Sequence, residues 1–363
     1  MGPGSKSTVR LQSTEAKGGD TMTILTGFRQ TRRTFLATGA AALAMPAIAT
    51  RGLAQQVWTC RIAHTEGIGT PITNAFEAWA QTLNAESGGR IDAQHFPAAQ
   101  LGGLTEVLEG SRIGTIQVTT AGPDMEESVA PEIAALGGAP GFIYKNSEHV
   151  DAVLQGDLGR RASQIAREKT GVEFVAYGET GFRHILSKTP VHSLDDLQGL
   201  KIRVPQLRIW VDFWALLGTA PTPLPYSEQY SALSTGIIDA IESDVFSVEG
   251  FRFYEQARHM TMTSHWFLPK AVRVNAAWLD SLPDDLQDLV RSSAQEAFSE
   301  QRRVNRSLAD ETLERLKGQG VEVFELPGDQ LAEMESRTEE LFARFGEASP
   351  ETAEMIAAIR ALG

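Results

Sequence analysis

The chain alternates short apolar runs with amphipathic stretches over most of its length. Residues 57–65 form an apolar run that reads as a first strand. Over 71–86, Ile72, Phe76, Trp79, Ala80 and Leu83 recur at helical spacing, and Gly88-Gly89 closes the segment. The same reasoning predicts strands at 91–96, 116–121, 172–177 and 237–241, and helices at 104–112, 159–170, 207–217 and 229–235. Trp210, Phe213 and Leu217 make the apolar face of the 207–217 helix, and Gly218 stops it. This alternation predicts an α/β fold with largely parallel sheets, a class that binds ligands at the carboxyl ends of its strands.

The last part of the chain differs. From 284 to 317, Leu286, Leu289, Val290, Ala294, Phe298, Val304, Leu308, Leu313 and Leu316 hold a helical period with no Gly or Pro among them. That predicts one helix long enough to pass along two lobes; the alternative is two helices broken near Arg306. Residues 349–362 read as a terminal helix, with Ser349 as its cap and Pro350 at its first position.

The N-terminal end reads as a leader. Residues 29–54 set Arg32-Arg33 ahead of an apolar run from about 35 to 48, followed by small residues. The run is too short to span a bilayer comfortably, so a signal peptide is expected, with cleavage after Ala54 or, second, Ala49. Thr31-Arg32-Arg33-Thr34-Phe35-Leu36 suggests twin-arginine export to the periplasm. Residues 1–54 hold seven basic and two acidic side chains, so the −13 of the full chain becomes −18 for the remainder. So acidic a protein has no net field to draw nucleic acid or an anionic membrane, and attraction of an anion must be local. The single cysteine, Cys60, excludes an intramolecular disulfide and reads as a small apolar residue of the first strand. About 309 residues then remain, which fits two lobes better than one small core.

Signatures of bond chemistry are absent. No G-x-S-x-G and no P-loop occur, and Gly67-x-Gly69 lacks the third glycine of a dinucleotide fingerprint. The seven histidines are scattered, none in metal-ligand spacing, so neither metal nor cofactor is expected. Acidic pairs at 126–127, 195–196 and 284–285 sit where helices could begin and would complement the helix dipole. Two arginines stand out instead. Arg183 and Arg203 each lie beside an apolar strand-like run, and a guanidinium there offers a planar fork that can grip a carboxylate.

Several segments carry a family resemblance. VHSLDDLQGLKIRVP contains Asp196, Leu197, Gly199, Lys201 and Arg203 in a D-L-x-G-x-K-x-R pattern, and SEQYSALSTGIIDAIES follows it. Pro97 to Gly102 form a P-x-x-Q-L-G loop, and GSRIGTIQVTTAG precedes a third strand. Over essentially all of the chain beyond the leader, this resembles the solute-binding proteins of TRAP transporters, the DctP family. The resemblance implies a two-lobed periplasmic-binding-protein-like α/β fold with a long C-terminal helix spanning both lobes. Lobe I would comprise 55–180 with about 269–308, and lobe II about 181–268 with 309–363.

It also implies that the chain is not an enzyme but captures a small organic acid, such as a sugar acid or C4-dicarboxylate, for TRAP membrane permease subunits. Arg203 matches the arginine that pairs with the substrate carboxylate, and Arg183 a second that assists. Tyr226 falls where relatives hold an aromatic ring against the ligand, and Ser243 where many have Asn. Glu242 and Asp244 are candidates to receive ligand hydroxyls or to cap the next helix. His64 and Glu66 end the first strand and face the expected cleft, with a surface loop as the alternative. Trp266 reads as core. Rival readings are a binding protein serving a chemoreceptor or sensor kinase, and a secreted α/β enzyme acting on an organic acid.

Overall fold

The computed structural model describes residues 56–363, so the leader at 29–54 and its cleavage sites lie outside the described residues. Among the described residues nine strands form one mixed sheet: β1 Trp58–Ala63, β2 Ile91–Phe96, β3 Val118–Ala121, β4 Val172–Ser187, β5 Lys201–Val204, β6 Ala220–Pro223, β7 Ala240–Ser243, β8 His259–Asn275 and β9 Glu322–Glu325. The order is β2-β1-β3-β8-β4-β7-β5-β6, with β9 on β8.

The expectation of largely parallel pairing holds for five of the eight strand pairs but not for the middle of the sheet. The outer strands pair in parallel, but β3–β8, β8–β4 and β4–β7 are antiparallel. The antiparallel part is the middle of the sheet. Strands β4 and β8 have 16 and 17 residues and run against each other through the middle of the molecule. The sequence suggests a strand only at 172–177, because GETG breaks the apolar run, yet the backbone stays extended to Ser187. The strand expected at 237–241 lies at Ala240–Ser243, with Ile237 exposed and Ile238 buried below it.

Helix Pro71–Glu86 forms as expected: the Thr70 hydroxyl accepts from Thr73 N and Pro71 occupies the first turn. Its buried stripe of Phe76, Trp79 and Leu83 meets Phe298, with ring centroids of Phe76 and Phe298 4.7 Å apart edge to face. Such a pair adds about 0.5–1.5 kcal/mol beyond area burial. Helix Asp284–Gly318 runs unbroken for 35 residues, about 52 Å at 1.5 Å per residue. Its first half packs in the core around Trp79, where Trp79 Nε1 donates to Ser293 Oγ at 2.9 Å. Its second half packs through Leu308, Leu313 and Leu316 in a separate core around Phe246 and Phe253. At the position of the alternative break, Arg306 instead pairs with Asp151 at 2.6 Å and Glu179 at 2.7 Å, tying the helix to β4.

The largest core joins Trp210, Phe213 and Trp266 to Leu341, Phe345 and Ile359. The terminal helix spans Pro350–Arg360 with the Ser349 hydroxyl as cap. Of the acidic pairs, 195–196 and 284–285 occupy first turns as expected. Glu126 does not simply cap: it is fully buried and pairs with Arg112 at 2.9 Å and with Arg273.

Candidate functional site

The arginine-bearing strand is set up by its own segment. The Asp196 carboxylate accepts from His192 N and Ser193 N at 2.9 Å, and with Ser193 forms a capping box. Gly199 at φ 71° turns the chain into β5, a backbone state that costs glycine least. Lys201 stays outside, pairing with Asp239 at 3.1 Å. Arg203, two positions on and so on the same face of the strand as Lys201, is 3% exposed. Its Nε and Nη2 both donate to Leu224 O, at 3.0 and 2.8 Å, and its guanidinium lies 5.7 Å from the Tyr226 ring. Among the described residues it forms no ion pair. Burial, with the like charge of Arg183, brings it down to about 10, so it stays cationic at neutral pH.

Arg183 is placed by an irregularity. Between Arg183 and Ile185 the pairing of β4 with β8 shifts, so that Met262 to His265 stand opposite His184 alone. Thr263 N and Ser264 N both donate to His184 Nδ1 at 3.2 Å. Burial, then the charge of Arg183, lowers His184 to about 3, which keeps this nitrogen available as an acceptor. Arg183 Nε donates to Glu242 Oε2, and its Nη2 to Glu242 O at 2.7 Å and Oε1 at 3.1 Å. Nη1 lies 3.6 Å from Asp244 Oδ2. Burial alone would lower Arg183, but these carboxylates hold it above its ordinary value.

Both arginines line one cavity. Also in its wall are Glu66, Asp124, Trp210, Tyr226, Asp244 and Lys270. Thr65, Leu104, Met125, Arg203, Pro205 and Tyr226 line both this cavity and a larger cleft beside it, so the cavity has a path outward. Lys270 Nζ donates to Glu66 at 2.8 Å; burial opposes the charge on Glu66, but Lys270 keeps it below the usual carboxylate range. Asp244 accepts from Ser247 N at 2.9 Å and Ser247 Oγ at 2.8 Å, so it caps helix Val245–Gly250 while facing the cavity.

The structure thus gathers Arg203, Arg183, Tyr226, Asp244 and Glu66 in one wall. Glu242, Ser243 and His64 are buried but do not line it. Glu242 holds Arg183. His64 sits beneath the loop of Glu66, where Glu66 N donates to His64 Nδ1 at 3.2 Å and His64 Nε2 meets His95 Nε2 at 2.8 Å. Trp266 is fully buried, stacked on Trp210 at 3.7 Å with its Nε1 donating to Gly137 O at 2.8 Å. Sequence reasoning did not single out Asp124 or Lys270, and read Trp210 only as part of a helix's apolar face. The one usable signal is position: Asp124 follows β3 at its carboxyl end, where such sheets bind ligands.

This arrangement offers a desolvated, unpaired cation for an anionic ligand and several acceptors beside it. Among the described residues no cluster of three or more His, Cys, Asp or Glu side chains could hold a metal ion. No helix of the described residues is long and apolar enough to cross a membrane.

Comparison with known proteins gives a consistent picture. The family model for bacterial extracellular solute-binding protein family 7 (DctP) matches residues 62–348. The 2,3-diketo-L-gulonate-binding periplasmic protein of Escherichia coli K12 is 30% identical over 67% of this chain and 73% of its own. A TRAP periplasmic solute-binding protein of Xanthobacter autotrophicus Py2, solved with bound β-D-galacturonate, superposes with a TM-score of 0.78 at 27% identity. That match covers 83% of this chain and 99% of the other. A TRAP protein of Roseobacter denitrificans OCh 114, solved with L-galactonate, gives a TM-score of 0.78 at 26% identity over 84% of this chain and 99% of its own.

Proposed function

The chain belongs to bacterial extracellular solute-binding protein family 7, the DctP family, and on that premise we propose that it captures a sugar acid or related organic carboxylate by lobe closure and delivers it to a TRAP membrane permease. The observation that carries the ligand class is Arg203: a buried guanidinium with no ion-pair partner, facing a cavity. A ligand carboxylate supplies the missing counter-charge. Each charge-assisted hydrogen bond then contributes about 1.5–3 kcal/mol. Contacts from both sides of the cavity make the ligand's affinity for the closed form the higher one, which is the condition for it to drive closure. Relatives with bound galacturonate and L-galactonate support a hydroxylated acid.

Export by the twin-arginine route and cleavage near Ala54 complete the reading. A thermal-shift screen of residues 55–363 against carboxylic acids and their methyl esters tests it. A true ligand at 100 times its dissociation constant raises stability by about 2.7 kcal/mol. Stabilisation by esters as strong as by the acids, or by no acid at all, would refute it.

A further inference from the structure

We propose that Asp124 is a specificity-determining residue of this cavity, its unpartnered Oδ1 taking a hydroxyl of the ligand so that the site selects polyhydroxy carboxylates over their deoxy counterparts. The proposal rests on the carboxylate-capturing reading above and adds the group that recognises the rest of the ligand.

Asp124 is 1% exposed and lines the cavity. Its Oδ2 accepts from Trp210 Nε1 at 2.9 Å, which fixes the plane of the carboxyl group. Its Oδ1 is buried and meets no hydrogen-bond partner among the described residues. A buried acceptor without a partner is costly, so an arrangement that maintains one calls for an explanation. The place is also cleared by glycines. A Cβ on Gly122 would collide with Asp124 Oδ1, and one on Gly137 with Asp124 N.

The other carboxylates of the wall are engaged. Glu66 is paired with Lys270, and both oxygens of Asp244 are taken up by Ser247. What Oδ1 could take is limited by its surroundings. Lys270 and Arg183 both act on Asp124 electrostatically and disfavour a ligand cation there. A ligand carboxylate is directed to Arg203, which lies on β5, four positions from β3 in the sheet. A hydroxyl remains, and it suits either protonation state, donating to the carboxylate or accepting from the acid. Burial raises Asp124 to about 6, against the Trp210 hydrogen bond, so both states are within reach.

The test is a calorimetric comparison of D-galacturonate and L-galactonate with hexanoate, a six-carbon acid without hydroxyls, on wild type, Asp124→Ala, Asp124→Asn and Arg203→Ala. Asp124→Ala should weaken both sugar acids by about 10- to 100-fold and leave hexanoate within about twofold. Asp124→Asn keeps the acceptor for Trp210 and a polar group in the cavity, so it should weaken the sugar acids by only about fivefold, again sparing hexanoate. It also serves if the alanine variant does not fold. Sugar acids held within twofold of wild type by Asp124→Ala, or an equal loss for hexanoate, overturns the proposal. So does wild type that prefers hexanoate. Unchanged binding in Arg203→Ala would instead remove the underlying carboxylate reading, and the two failures are thereby distinct.

Discussion

Glu242 holds Arg183 from two sides, its carboxylate and its own main-chain oxygen both taking guanidinium protons in a fully buried pocket. Arg203, two strands away across β7, has among the described residues only a carbonyl oxygen as a hydrogen-bond partner. Two arginines with the same expected role therefore differ in how much of their charge is already answered.

Stability should separate them. Glu242→Gln removes the closer of the two carboxylates on Arg183, and Arg183→Met leaves Glu242 buried without its partner; removing one member of such a pair costs about 3–5 kcal/mol. Arg203→Ala removes no ion pair and should melt within a few degrees of wild type. Chemical denaturation of the three variants without ligand checks this; equal losses would sink it.

Affinity should separate them in the opposite sense. Arg203→Ala should weaken binding of the best acid by about 30- to several-thousand-fold, the cost of about 2–5 kcal/mol for truncating one side of a desolvated charge pair. Arg203→Lys keeps the charge but loses the fork and should rescue little. Arg183→Ala should cost less. Isothermal titration with the acid and its methyl ester measures all three, and an ester that binds as well as the acid would contradict the clamp.

Acid should weaken the fold. Burial lowers His64 and His184 to about 3, and His265 well below its ordinary value. For such groups the unfolded chain binds more protons below pH 6.5, so stability is full above that pH and falls as pH drops towards 3. Each histidine contributes up to about 1.4 kcal/mol per pH unit. Asp124, raised to about 6, has the opposite sign between its unfolded value and that pH and offsets part of the loss. Urea unfolding from pH 7.5 to 4.5 should show a net decline. His184→Asn, whose Oδ1 can replace Nδ1 as acceptor for Thr263 and Ser264, should flatten it.

Export is open to a direct experiment. Replacing Arg32 and Arg33 together by Lys should hold the precursor in the cytoplasm. Equal amounts of processed protein in the periplasm would point to the general secretory route instead.

Arg203, the proposed anchor, was readable because it sits in a locally stereotyped segment. Asp196, Gly199 and Lys201 each have a conformational duty there, and the spacing records those duties. The long helix was readable because nothing interrupts its period. The middle of the sheet was not. A strand through Gly178, Gly181 and two charged residues has no alternation to detect, and its pairing with β8 is decided by contacts some 90 residues away. For the same reason Asp124 and Lys270 carried no local signal, and Trp210 showed only as the apolar face of its helix. They meet only once β3, β5 and β8 have been brought into one sheet. Glu242 was open to two readings from sequence because nothing local says that its partner is Arg183, 59 positions earlier.

Cys60 lies wholly buried in β1, with β2 on one side and β3 on the other. Burial, with the charge of Asp92, raises its thiol far above the ordinary range. Since the thiolate is the reactive species, this sulfur is inert while the strand is in place. The only thiol of the chain is therefore a silent clock. Its rate of alkylation counts how often the first strand leaves the sheet, and an oxidising compartment can crosslink this protein only at those moments.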